Sequence, residues 1–118
     1  MRPLLFLAAT AASVVVAGCA QQSAPASEAS TLAACLTERG VIMYGADWCS
    51  HCQKQKGLFG DAFSAVTYVE CPDEPERCVR AGITGYPTWI LPGGQKLEGV
   101  QQLPALANAA GCAKSVTP

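Results

Sequence analysis

Two cysteines three positions apart, Cys49 and Cys52, enclose the chain's single histidine, His51, in the stretch ADWCSHCQKQ (46–55). Thiols at this spacing can exchange disulfides, ligate a metal or close a small structural loop. Exchange runs through the thiolate, and a free thiol is mostly protonated at neutral pH, so the surroundings of Cys49 decide its chemistry. From Ser50 to about Phe59 the composition is helical, which puts Cys49 at a helix beginning, where unpaired backbone N–H groups and the macrodipole favour negative charge. His51, when protonated, adds a positive charge beside the thiolate, and Lys54 and Lys56 add a weaker, solvent-screened field. These effects lower the Cys49 pKa. Cys52, one turn into the helix, is then placed to attack a mixed disulfide formed at Cys49. A tetrahedral metal site needs a second ligand pair, and with no other histidine it would come from Cys71 and Cys78 or from Cys35 and Cys112. A purely structural bridge between residues three apart removes little chain entropy.

The pair needs elements to hold it. Val41-Ile42-Met43-Tyr44 is an apolar run of the length of a strand buried on both faces, and Cys49 follows within five residues of its end. Ala65 to Glu70 reads as a second strand, parallel to the first through the intervening helix. The polar, proline-containing stretch Cys71 to Cys78 leads into a short helix through Ala81. Ile83 to Leu91, the turn Pro92-Gly93-Gly94 and Gln95 to Val100 form a hairpin. Leu103 to Ala110 closes as a helix stopped at Gly111. Upstream, Ser30 or Thr31 caps a short helix that carries Cys35 and ends at Gly40. The order is α/β, a mixed sheet flanked by helices.

The 118 residues have room for one domain, and the first stretch is not part of it. Arg2 followed by the uncharged apolar run Leu4 to Val16 is the pattern of a secretory signal, too short for a comfortable membrane span. Val16-Ala17-Gly18-Cys19 resembles a bacterial lipoprotein box, with Cys19 the lipidated residue. Residues 1–18 are therefore expected to be a lipoprotein signal, 19–30 (beginning CAQQSAP) a lipid anchor and tether, and 31–118 the folded domain. The protein is expected to be exported and anchored to a membrane surface facing the periplasm or an equivalent lumen. A formal net charge of −1 without a Lys/Arg cluster points away from nucleic acid as a partner. Seven cysteines in an exported chain of this size imply disulfides. With Cys19 set aside for lipid, the remaining six admit about fifteen pairings.

Trp48-Cys49-Ser50-His51-Cys52, with Gly85-Tyr86-Pro87-Thr88 downstream, resembles the thioredoxin superfamily. More narrowly, MYGADWCSHCQKQKGLFG, YVEC, GITGYPTWILPGG and LEGVQQL together look like the thioredoxin-like domain associated with bacterial homologues of vitamin K epoxide reductase. The resemblance spans Cys35 to Cys112. It implies a small, glutaredoxin-sized core with a mixed four-stranded sheet, and a thiol-disulfide oxidoreductase that needs no cofactor. It further implies that the domain oxidises cysteine-containing exported proteins and is recycled by a quinone-linked membrane thiol oxidase, here a separate chain. By position Cys49 is the attacking thiol, Cys52 the resolving one and Pro87 a cis-proline shaping the substrate groove. Tyr86 would offer its backbone to a substrate chain, and Trp48 would line the same groove. Met43 stands where many thioredoxins hold a buried acid, so proton transfer to Cys52 must use another group or water. Ser50 replaces the Pro or Gly common in that slot.

Cys71 and Cys78 bracket a short proline-containing segment, while Cys35 and Cys112 lie in the first and last helices of the domain. Structural bridges Cys35–Cys112 and Cys71–Cys78 are expected, which leave Cys49 and Cys52 free to cycle. On the chain-entropy model the long loop contributes about 4–5 kcal/mol and the short one about 2–3 kcal/mol. A sharper alternative makes Cys71–Cys78 a second redox pair.

Overall fold

In the computed structural model, residues 12–15, 18 and 26–115 are described. Cys19, the proposed lipid site, and most of the expected signal and tether lie outside them. No helix among the described residues is long and apolar enough to cross a membrane.

Four strands form one mixed sheet in the order β2-β1-β3-β4: β1 (Ile42–Gly45), β2 (Tyr68–Glu70), β3 (Thr88–Ile90) and β4 (Lys96–Glu98). β1 runs parallel to β2 with Met43 opposite Tyr68 and Gly45 opposite Glu70. On its other side β1 is antiparallel to β3, which continues into the antiparallel pair with β4. The central position of β1 explains its apolar run, because alternate side chains enter two different cores. Met43 points into the larger cluster with Trp89, Leu32, Leu36, Phe59 and Leu106. Tyr44 enters the second, with Val69, Cys71 and Cys78.

The helices are α1 (Ala26–Glu38), α2 (Ser50–Phe59), α3 (Pro75–Arg80) and α4 (Leu103–Ala110). The α1, α2 and α4 helices supply the larger cluster and α3 the smaller, so the sheet is covered on both faces. Two boundaries differ from expectation. The α1 helix begins at Ala26, so residues 26–30, read from composition as tether, form its first turns. Ala29 is buried there, and small helix-compatible residues can fold where a packing surface is offered. After α2 the chain also tightens into a 3-10 segment, Gly60–Ala65, that delays β2 until Tyr68.

Two disulfides staple the layers. Cys35–Cys112 ties α1 to the end of α4 across 77 positions, and Cys71–Cys78 closes the β2–α3 connection. A buried polar cluster keys α2 to the sheet. Gln55 Oε1 accepts from Trp89 Nε1 at 3.1 Å and from the Gln101 backbone N–H at 2.7 Å, and Gln55 Nε2 donates to the Gln101 carbonyl at 3.0 Å. Gln55 and Trp89 are both fully buried, so each bond is shielded from water.

Candidate active site

The β1 strand ends at Gly45, a tight turn follows with the Cys49 N–H donating to the Ala46 carbonyl, and α2 starts at Ser50. Cys49 is therefore the N-cap of α2, in extended conformation, and no side chain caps the helix. A capping side chain accepts from the N–H groups of the second and third helical residues, here His51 and Cys52. The Cys49 sulfur lies near these donors without closing a capping bond. Its pKa is lowered chiefly by the Cys52 backbone N–H, with further help from the Cys52 thiol and the His51 N–H, against partial desolvation. His51 thus acts on Cys49 through its backbone, while its ring is exposed.

Cys52 is the opposite case. Its thiol is fully buried, and burial, reinforced by the neighbouring Cys49, pushes it up to about 11. A backbone hydrogen bond from Ala46 and the charge of Lys56 offset part of that rise. A half-buried thiol with a lowered pKa and a fully buried, proton-retaining one stand side by side. Both are free of disulfide bonds.

The loop before β3 faces the pair. The Tyr86–Pro87 peptide is cis, Pro87 is buried, and the Cys49 thiol donates to the Tyr86 carbonyl at 3.8 Å. Trp48 is 68% exposed and meets the Tyr86 ring edge-on, with centroids 6.0 Å apart. Cys49, Trp48 and Tyr86 are thereby brought to one surface, with Pro87 buried beside Tyr86. The other cysteines among the described residues are held in disulfides: Cys71–Cys78 is buried in the second core, and Cys35–Cys112 joins α1 to the end of α4. Among the described residues no three His, Cys, Asp or Glu side chains gather as metal ligands.

Behind Cys52 lies a group of residues that motif reading did not single out. A Cβ at Gly45 would lie 2.8 Å from the Cys52 sulfur and 3.2–3.3 Å from the Tyr68 ring edge and hydroxyl. Glycine is required here by space, since its backbone is ordinary strand. The Tyr68 hydroxyl donates to Glu70 Oε2 at 2.8 Å, and Glu70 Oε1 accepts the Asp47 backbone N–H at 2.9 Å. Lys56 Nζ sits 4.1 Å from the Tyr68 ring centroid. Burial first, then the carboxylate of Glu70, raise the Tyr68 pKa far above the ordinary tyrosine value. Tyr68 and Glu70 are two apart on one strand and so share a face, which was the signal available in the sequence.

The family model described as Thioredoxin matches residues 27–110. Among curated proteins the chain is similar to thiol-disulfide oxidoreductase LTO1 of Arabidopsis thaliana, 43% identical over 89 residues, covering 68% of this chain. It is also similar to protein disulfide isomerase-like 2-2 of Oryza sativa subsp. japonica, 31% identical over 85 residues and 60% of this chain. The matched region spans 23% of the length of each of these relatives. Among solved structures it is similar to thioredoxin NaTrxh from Nicotiana alata, with a TM-score of 0.43 and 17% identity over 65% of this chain and 72% of that one.

Proposed function

The chain belongs to the thioredoxin family, and from that membership we propose that it is a thiol-disulfide oxidoreductase whose Cys49–Cys52 pair exchanges disulfides with exported proteins. The observation that carries the reading is the split environment of the two thiols. Cys49 lies at the helix N-cap with backbone donors lowering its pKa, and Cys52 is buried with its pKa raised to about 11. The first favours nucleophilic attack at neutral pH. The second keeps the resolving thiol silent until a mixed disulfide is within reach.

The exchange runs in two steps. The Cys49 thiolate attacks one sulfur of a substrate disulfide, forming a mixed disulfide and releasing the first substrate thiolate. Cys52 then loses its proton and attacks Cys49, so the Cys49–Cys52 bond forms, the mixed disulfide breaks and the second substrate thiolate leaves. Two electrons pass from the protein to the substrate. Run backwards, the same steps oxidise a substrate dithiol. Trp48 and Tyr86 form the surface on which a substrate chain would lie, with Pro87 buried beside Tyr86.

The proposed direction is oxidation, with a vitamin K epoxide reductase-like, quinone-linked membrane enzyme restoring the disulfide and a lipid on Cys19 holding the domain at the membrane. The support is the stabilised Cys49 thiolate, because favouring the reduced form makes a pair more oxidising. The deciding measurement is the equilibrium reduction potential of Cys49–Cys52 against glutathione. A value of roughly −120 to −180 mV is expected, and one near about −270 mV would assign the chain to reduction instead. Failure to form the disulfide at all, together with tight copper or zinc binding, would refute the redox reading.

A further inference from the structure

The resolving step has an unmet requirement: Cys52 must give up a proton from a buried site, and Met43, on the central strand behind it, cannot accept one. We propose that Tyr68 and Glu70 form the proton relay that serves Cys52. The Cys52 sulfur and the Tyr68 hydroxyl border the same space, the one a side chain at Gly45 would fill. From there a 2.8 Å hydrogen bond leads to Glu70, a carboxylate at the partly exposed end of β2.

As Cys52 attacks, its proton passes to the Tyr68 oxygen, either directly or through one water, while the Tyr68 proton passes along the existing bond to Glu70 Oε2. The Cys52 electron pair forms the bond to the Cys49 sulfur, and the substrate sulfur departs with the pair of the broken bond. Glu70, now neutral, returns its proton to solvent. Tyr68 ends as it began, and its raised pKa means that it passes protons without holding negative charge. In the oxidising direction the flow reverses, and Glu70 supplies the proton that neutralises departing Cys52.

The charged and titratable groups around the relay are Cys49 at the α2 N-cap, Cys52 and Lys56 from α2, Asp47 from the preceding turn and Glu70 itself. Lys56 favours the Cys52 thiolate. The Glu70 bond to the Asp47 N–H fixes the carboxylate against the loop that carries Cys49.

The relay rests on the thiol-exchange reading, and one assay separates the two. Reduced protein with intact structural disulfides reacts with excess Ellman's reagent in two releases of thionitrobenzoate, the first from Cys49 attack and the second from Cys52 resolution. In Tyr68→Phe and Glu70→Gln the second release is expected to slow by about tenfold or more, since positioned proton transfer contributes on the order of 10²–10⁴. The first keeps its rate. Tyr68→Phe retains the ring against Lys56, so it tests the hydroxyl apart from packing.

The pH profile excludes a merely structural effect. In wild type the second release changes little through the neutral range, because the proton goes to a carboxylate inside the protein. In both variants it rises about tenfold per pH unit, following the bulk thiolate fraction. A second release at the wild-type rate in either variant, or a slower one with the wild-type pH profile, overturns the relay. A wild-type protein with no second release overturns the exchange reading, and the relay with it.

Discussion

Burial of Cys52 makes a prediction about alkaline stability that can be worked through in numbers. The free thiol titrates at 9.0 when unperturbed and at about 11 in the fold. A folded-state pKa raised above the unfolded one means that between those values the native protein holds the proton more tightly than the unfolded chain. Stability therefore falls as pH rises, beginning near 9 and complete above 11. At about 1.4 kcal/mol per unit the full loss is about 3 kcal/mol, of which about half is already gone near pH 10. The comparison to make is Cys49→Ala against the double variant Cys49→Ala/Cys52→Ala. No reductant is needed, so Cys35–Cys112 and Cys71–Cys78 remain closed. Removing Cys49 takes away its own contribution to the shift but leaves burial, the largest one. Tyr68 destabilises in the same direction at high pH, and it does so in both variants and cancels. Urea denaturation from about pH 8 to about pH 11 should show Cys49→Ala losing roughly 1–3 kcal/mol more than the double variant. Parallel curves would mean that Cys52 ionises freely in the fold, and the split-thiol argument would fail.

Other outcomes follow from the same geometry. Gln55→Leu leaves Trp89 Nε1 and both Gln101 backbone groups without their buried partner. A loss of about 3 kcal/mol in denaturant unfolding is expected, and a loss under about 1 kcal/mol would show that the cluster is loosely held. His51→Ala keeps the backbone N–H that acts on Cys49, so the thiolate absorbance titration should move by less than about half a pH unit. A larger rise would assign the effect to the exposed ring. Under graded mild reduction with mass mapping of thiols, Cys49–Cys52 should open well before Cys71–Cys78, whose sulfurs are buried. Simultaneous opening would make the second bridge a redox pair.

How far the sequence can be read depends on whether a feature is local or needs a partner strand. The α2 and α4 helices end where helical composition meets glycine, and Gly111 adopts the left-handed conformation that closes α4. The run 41–44 announces a strand covered on both faces, and the two cores confirm why. The start of α1 escaped because Ala-Ser-rich composition is ambiguous between tether and helix until a surface such as that over Ala29 decides it. The wall behind Cys52 escaped for a different reason. Alternation along 65–70 puts Tyr68 and Glu70 on one face, but which face, and opposite which residues, is set by the pairing of Gly45 with Glu70 across β1 and β2. A shift of one residue in that register would turn Tyr68 and Glu70 away from Cys52 and bring Val69 to it. The CxxC spacing supplies two sulfurs, whereas their unequal proton affinities come from elements far apart in the chain. Backbone donors at the α2 N-cap act on Cys49, and a buried site walled by β1 and β2 acts on Cys52. Gly45 is where the two meet, since any side chain there would displace the Cys52 sulfur or the Tyr68 hydroxyl.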